Sequence, residues 1–578
     1  MDHVKAPTTI LDLEIEVLAT ILEHVCDTSP RTGPALARVN KQFNNAVQLV
    51  RHRHTTLYWD HEAGCFVTRA RLPPSSWKTD DFLRGVRHLT ITRRRACPRS
   101  EFYQSMGQLS KLICQIGNLQ TLTWDCYFPP LASIVQTLEE RHPKAHFHVR
   151  RVTPSECDWL DELPEAGKSP LVSKCLRSFG ADCAIYGDAQ RTEREHILFQ
   201  KIINSAPNLK FASLISSGAN PAMVLTPAMV DGWETWHVKQ KPTSSLRHLT
   251  LDGWPLSAHA LDYWSKSVDL AALESLKCSR GMLTKSYFDR APQVLTNLKH
   301  VSLNLRSTTA RDTVEAVQNY IETCAPLSTL SLWSWHGKVS LQSILSRHGP
   351  TLEALHLHER EREERITRLR QGYYVPALQS MPTLRAILST DELRQIFESC
   401  PKLKVFTFDL ERETQCLNIN GYHGYLEELK NVKLDKLQIY FDCGIHYIFS
   451  SIHWDDETVP NRCGGDLPLE PVLPPFEREP GYPPLYPPSS SDNICRFVGE
   501  LWKHIFGART YGERLLDVKF GEWEQKSFPD AMRWDDVLQR DIRVYCQASP
   551  HERDDKAGEC QILMNCCGGT HSKLFSSG

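Results

Sequence analysis

Apolar positions near the start of the chain recur with a helical period. Val17, Leu18, Ile21, Leu22 and Val25 fall at i, i+1, i+4, i+5 and i+8, which lays one apolar stripe along a helix. Asp12 precedes that stripe as a candidate cap, and Glu14 and Glu16 put negative charge at the positive end of the helix dipole. Thr28, Ser29, Pro30, Gly33 and Pro34 then break the helix. Leu36, Val39 and Phe43 follow at i, i+3 and i+7, one face of a second helical segment. So short a pair has little core of its own and must bury its apolar faces against something else.

A second pattern begins at Val86, with the form Leu-x-x-Leu-x-Leu. Its better copies are LQTLTW at Leu119–Trp124, LRHLTL at Leu246–Leu251, LESLKC at Leu273–Cys278, LKHVSL at Leu298–Leu303, LSTLSL at Leu327–Leu332, LEALHL at Leu352–Leu357, LKVFTF at Leu403–Phe408 and LDKLQI at Leu434–Ile439. Weaker copies are VRHLTI at Val86–Ile91 and LKFASL at Leu209–Leu214. The closing x-Leu-x-Leu alternates inward and outward, the signature of a short strand with one buried edge. Helical stretches such as Ala316–Cys324 and Glu392–Cys400 lie between strands, each closely followed by Pro. One strand and one helix cannot close a core, so the units must stack, and the expected class is α/β.

Several segments depart from this rhythm. Leu57 to Val86 reads as a connector, with Pro73, Pro74, Ser75 and Ser76 marking a loop. Thr153 to Asn204 holds an acidic, Pro-containing loop and a helix over Arg191–Asn204, and reads as an insertion or a degenerate repeat. Glu359–Arg365 is a run of alternating charges that pairs locally. Pro460–Ser491 is dense in proline and reads as a polyproline-type linker or loop. Beyond it, Ile494–Phe506 is helix-like and Leu515–Trp523 and Ile542–Cys546 are strand-like, while the tail from Ser549 is polar and expected to fray. The expected organisation is a helical module over 10–55, a repeat array over 80–455 with an insertion at 150–205, a linker over 458–492, a possible cap over 493–548 and a tail over 549–578.

Composition narrows the function classes. A formal net charge of -2 over 578 residues gives no basic domain, so no nucleic-acid partner is expected. No apolar run reaches the length of a membrane span, and no basic region followed by an apolar run opens the chain. A cytoplasmic or nuclear location, with the 19 cysteines as free thiols, follows as the expectation. Gly507 to Gly512 has the glycine spacing of a Walker loop, but Glu513 and Arg514 stand where Lys and Ser or Thr are required. Cys560, Cys566, Cys567 and His571 lack a second ligand pair at zinc spacing. No catalytic residue, cofactor or metal is therefore expected, although a Cys and His pair adjacent only in the fold stays open.

Leu13, Glu14, Ile15, Glu16, Val17, Leu18, then Ile21, Leu22 and Val25, and later Leu36, Val39, Lys41 and Phe43, together resemble the F-box. Glu14 replaces the usual Pro, and Asn40 stands where Cys is common. The repeats resemble degenerate leucine-rich repeats, with the Asn that commonly follows the strand mostly missing and irregular spacing between Leu119 and Leu209. Together these resemblances imply an F-box-like helical module followed by a curved, irregular leucine-rich-repeat solenoid. They also imply a non-catalytic substrate-recognition subunit of a Skp–cullin–F-box ubiquitin ligase, bound to a Skp-type adaptor and through it to a cullin. The adaptor would be met by Leu13, Ile15, Val17, Leu18, Ile21, Leu22, Val25, Leu36, Val39 and Phe43. The residues between the strand leucines point to the concave face, where a target protein would bind. These are His248, Thr250 and Asp252; His300, Ser302 and Asn304; Thr329, Ser331 and Trp333; and His356 and His358. Trp333, with Trp254 and Trp335 behind their strands, has the character of an interface anchor, and core packing is the competing role for each. The alternative is a leucine-rich scaffold whose hairpin merely caps the array. A cap buries Leu18, Ile21 and Leu22 against Val86 to Leu89, whereas a docking module leaves them accessible.

Overall fold

The computed structural model describes residues 10, 13–28, 32–60, 65–68, 79–93, 102–103, 106–153, 173–184, 189–217, 245–279, 283–305, 310–359, 388–410, 419–441, 491–507, 515–520, 544–550, 560–566 and 569–575. The chain is α/β, with a long, mostly parallel sheet whose strands alternate with helices, and it divides into two units, residues 1–298 and 299–578.

The first unit opens on α1 (Ile15–Thr28), α2 (Thr32–Leu36) and α3 (Lys41–Arg53). Leu18, Ala19 and Leu22 of α1 close a core with Phe43, Ala46 and Leu49 of α3, and Ile15, Leu36, Val47 and Val50 pack against it. Asn40 caps α3: its side-chain oxygen accepts the Phe43 N–H at 2.8 Å. Asparagine at this position thus supplies the acceptor that the helix needs.

The strands follow directly. They are β1 (His54–Asp60), β2 (Cys65–Thr68), β3 (His88–Arg93), β4 (Thr121–Asp125), β5 (His146–Val152), β6 (Leu176–Ala184), β7 (Phe211–Ser217), β8 (His248–Asp252) and β9 (Ser275–Cys278). Interleaved are α4 (Asp80–Gly85), α5 (Met106–Gln115), α6 (Ala132–Arg141), α7 (Ala189–Ser205), α8 (Ala258–Ser265) and α9 (Lys285–Val294). β2 folds back antiparallel on β1, β3 pairs in parallel with β1, and from β4 to β9 each strand pairs in parallel with the one before it in the chain. That chain-order pairing is what stacked strand and helix units require.

Two expectations change here. The stretch from Leu57 to Val86 is not only a connector, because β1, β2 and α4 occupy parts of it. The buried alternate positions in HTTLYWD are Thr55, Leu57 and Trp59, only one of them a leucine, which hid the strand. Of the two readings of Thr153 to Asn204, the pairing of β6 with both β5 and β7 favours the degenerate repeat over the insertion. Its disguise is a register shift between Val149 and Val152, with Gly180 lying where a Cβ would come within 2.0 Å of the Arg150 carbonyl oxygen.

The second unit contains β10 (His300–Asn304), β11 (Thr329–Trp333), β12 (Ala354–His358), β13 (Val405–Leu410), β14 (Lys436–Phe441) and β15 (Leu515–Phe520), all parallel in chain order. Between them run α10 (Arg311–Thr323), α11 (Leu341–His348), α12 (Thr390–Ser399), α13 (His423–Lys430) and α14 (Ser491–Phe506). Ser389 and Glu392 form a capping box on α12. The tail is more ordered than expected. β16 (Val544–Pro550), β17 (Cys560–Cys566) and β18 (Gly569–Phe575) continue from β15 as an antiparallel meander. The Pro-rich segment and the charge run beyond Glu359 lie outside the described residues.

Packing follows the sequence pattern. Leu330 and Leu332 on β11, Leu355 and Leu357 on β12, and Phe406 and Phe408 on β13 are buried, while the alternate residues of β11 stay half-buried. Each fully buried leucine contributes roughly 1.5–3 kcal/mol. Histidines brace successive helices in both units. His142, just after α6, bonds through Nε2 to the Ile113 carbonyl of α5 at 2.9 Å. His348, ending α11, does the same to the Ile321 carbonyl of α10 at 2.9 Å.

Candidate interaction surfaces

On the helical module the ten positions singled out for the adaptor divide by exposure. Leu18, Leu22 and Phe43 are 0%, 2% and 8% exposed and fill the module's own core, so they are not available to a partner. Ile15 and Leu36 are half-buried against the same core, and Leu13 and Val25 are half-buried. Val17, Ile21 and Val39 remain uncovered, at 45%, 38% and 63% exposed, with Ile10 at 48% beside them in sequence. Among the described residues, the other exposed large apolar side chains are Tyr127 and Phe211. An i, i+4 pair places Val17 and Ile21 on the side of α1 that turns away from Leu18 and Leu22.

The module is also tied to the sheet. α3 ends at Arg53 and β1 begins at His54, and Glu23 of α1 bonds Arg53 at 2.5 Å and lies 3.5 Å from His54. Neither of the two burial outcomes expected for the hairpin holds in full. Leu18 and Leu22 are covered by α3, in a cluster that does not include Val86 or Leu89, and Ile21 is not covered.

On the strands, the alternation rule holds at the first two positions of each strand and at all three of β11, and fails at the last position of β8, β10 and β12. His248, Thr250, His300, Ser302, Thr329, Ser331, Trp333 and His356 are half-buried, as side chains on a sheet face are when their neighbours flank them. Asp252, Asn304 and His358 are buried, at 8%, 7% and 3% exposed. Trp333 holds the same third position on β11 and is not buried. Trp254 and Trp335 are core residues at 2% and 5% exposed, leaving Trp333 as the half-exposed one.

In the second unit the outward side chains bond laterally from strand to strand. His300 Nδ1 lies 2.9 Å from the Thr329 hydroxyl, and His356 Nδ1 lies 2.6 Å from the Thr407 hydroxyl. His358 Nδ1 lies 2.6 Å from an Asp409 carboxylate oxygen, and the other oxygen accepts the Glu359 N–H at 2.6 Å. The His358 ring packs 4.6 Å from Trp333 and 4.1 Å from Tyr440. Lys519 sits 4.9 Å over the Tyr440 ring and donates to its hydroxyl at 3.2 Å, while Lys436 pairs with Asp517 at 2.9 Å. Burial, and then Lys436 and Lys519, lower the His356 pKa to about 4. Burial, with Asp409 adding to it, raises that of Glu359. The alternation rule, carried on to LKVFTF, LDKLQI and the LLDVKF strand, would have found Thr407, Asp409, Gln438, Tyr440, Asp517 and Lys519.

In the first unit the same face carries stacked rings. His54 stacks on His88 at 4.5 Å and Phe211 on His248 at 4.3 Å. Phe211 is 46% exposed and was missed because a Phe opening a strand reads as core. Burial, then His54, lowers the His88 pKa, while burial, then His146, lowers that of His148.

Among the described residues no group of three His, Cys, Asp or Glu side chains is placed to hold a metal ion, and no helix is long and apolar enough to cross a membrane. No family model matches the chain, and no curated protein matches it.

Proposed function

We propose that this chain is an F-box-type substrate receptor, in which the helical module docks a Skp-type adaptor and the leucine-rich array, a curved solenoid, holds a target protein. The observation that carries this reading is the exposed apolar set Val17, Ile21 and Val39 on a module whose core is already complete. Exposed apolar side chains gathered on one small module are the feature that a docking surface offers a partner. Through the adaptor the chain would join a cullin assembly and raise the local concentration of target lysines near a charged conjugating enzyme. The chain itself makes and breaks no bond on this reading, and it acts in the cytoplasm or nucleus.

The test is capture of the full chain by a purified Skp-type adaptor. Binding that is lost in Val17→Asp with Ile21→Asp, at unchanged helicity and melting temperature, supports the reading. Failure of the parent to bind, or retention by the double variant, refutes it. The second reading, a leucine-rich interaction scaffold unrelated to ubiquitination, draws on the direct passage from α3 into β1 and the Glu23 bridge to Arg53. On that reading the module is a cap, and removing it melts the array.

A further inference from the structure

Where β5 meets β6 the pairing slips. Val149 faces Phe179 and Val152 faces Ala181, three steps along β5 against two along β6. The extra residue makes a bulge, and a bulge re-aims the side chains it carries. Here Arg151 of β5 reaches Asp182 of β6, donating from Nε at 2.7 Å, and from Nη2 as well, to the single oxygen Oδ2. The same guanidinium lies 5.1 Å over the ring of Tyr127, just beyond β4. The Tyr127 carbonyl accepts the Thr153 N–H at 2.7 Å, which fixes that residue against the end of β5. Direct contacts therefore join Tyr127, Arg151 and Asp182 into one group.

That group is open to solvent and its hydrogen bonding is incomplete. Tyr127 is 38% exposed and the Arg151 side chain 43%, whereas the Asp182 side chain is only 5% exposed. Among the described residues Asp182 Oδ1 is buried without a hydrogen-bond partner, although it shares a carboxylate with the oxygen that Arg151 holds. Arg151 Nη1 makes no hydrogen bond among the described residues either. Leaving a buried carboxylate oxygen unmatched is costly. Through Ile215, Asp182 is in lateral register with Asp252, on the face to which the alternation rule assigns Asp252 and Thr250. The ion pair thus presents one open acceptor and one open donor beside a flat, exposed ring.

We infer that Tyr127, Arg151 and Asp182 form a subsite for a carboxamide side chain, Asn or Gln, of the target protein. Its amide N–H donates to Asp182 Oδ1, its carbonyl oxygen accepts from Arg151 Nη1, and its plane packs on the exposed part of the Tyr127 ring. A carboxylate could satisfy only Arg151 and would be repelled by Asp182 and by Asp125, which already acts on the Arg151 charge. An ammonium could satisfy only Asp182, which Arg151 already neutralises. A neutral group with both a donor and an acceptor completes both partners. The inference rests on the proposed reading of the strand face as the target-binding surface, and it names a side chain that the target offers there.

The experiment is nuclear magnetic resonance on the full chain, with a heavy nitrogen isotope in its arginines alone. The Arg151 Nε–H signal is identified by its loss in Arg151→Lys. The probe is the peptide acetyl-Ser-Gln-Ser-amide, and its Glu and Lys counterparts and guanosine serve as comparisons. The Gln peptide is expected to shift the Arg151 signal saturably, and the Glu and Lys peptides to bind about fivefold or more weakly. Asp182→Asn, which removes the charge that holds Arg151, is expected to abolish the effect. Tyr127→Ser, at an exposed ring, is expected to weaken the Gln peptide several-fold at an unchanged melting temperature. No saturable shift, equal binding of the Glu peptide, the Lys peptide or guanosine, or indifference to Tyr127→Ser overturns the inference. Adaptor capture measured on the same protein separates the two claims. A chain that captures the adaptor but not the Gln peptide sinks only this inference, and one that binds the peptide but not the adaptor sinks only the receptor assignment.

Discussion

His348 offers the sharpest test of how the helices of the second unit are held together. Its ring is fully buried, Nδ1 accepts the Leu327 N–H at 3.2 Å, and Nε2–H donates to the Ile321 carbonyl at 2.9 Å. Those two bonds require the neutral ring, because a protonated Nδ1 has no lone pair for the amide. Burial is the main cause that holds its pKa at about 4, below the ordinary imidazole value of 6.5. The unfolded chain therefore binds the proton more tightly than the folded one. The stabilisation is fully present above about pH 6.5 and is lost as the pH falls toward 4, with a span of roughly 3 kcal/mol. Replacing His348 by Leu removes the titration and strands a buried amide and a buried carbonyl, at a cost of about 2–4 kcal/mol near pH 7.5. Hydrogen exchange of α10 and α11 in mild urea, read for parent and His348→Leu side by side, isolates this region from other groups that titrate, among them His356. The gap between the two proteins is expected to shrink by most of that span between pH 7.5 and pH 4.5. A gap that stays constant with pH would mean that His348 is not held neutral, and the brace as described would be wrong.

Three further outcomes follow from the packing. Leu22→Ala opens a cavity in the α1 and α3 core and is expected to destabilise the module by about 2–5 kcal/mol, whereas Val17→Ala should stay within about 0.5 kcal/mol, both read by urea denaturation. Gly180→Ala forces a Cβ to within 2.0 Å of the Arg150 carbonyl oxygen and should lower the melting temperature or abolish soluble expression; an unchanged melting curve would show that the β5 and β6 pairing is not as described. Burial raises the Cys324 thiol to about 11 and the Cys400 thiol to about 12, while Cys114 is exposed. Iodoacetamide at pH 8 should therefore label Cys114 first and spare the other two until the chain is unfolded, as mass spectrometry of the peptides would show.

Much of this architecture is legible along the chain because it is local. A leucine at every second position of LSTLSL or LEALHL makes a one-sided strand wherever it lies, and AVQNYIETC and ELRQIFESC make amphipathic helices by the same logic. Where the period is carried by other residues, as in β1, or broken by a register shift, as at Val149 and Val152, the same reading failed. The outward strand positions were found in sequence, but their lateral bonds were not. His358 and Asp409 are separated by 51 residues and meet only because β12 and β13 pair.

What the sequence determined by itself was the identity of the elements: helical stripes at the start, and strands and helices in alternation after them. What only the tertiary structure decided was which apolar side chains of α1 are covered. Leu18 and Val17 are neighbours of similar hydrophobicity, yet one is 0% and the other 45% exposed. Periodicity is a property of a segment alone. Exposure depends on which other element arrives on each side, and α3 covers one side of α1 and leaves Val17 and Ile21 in water.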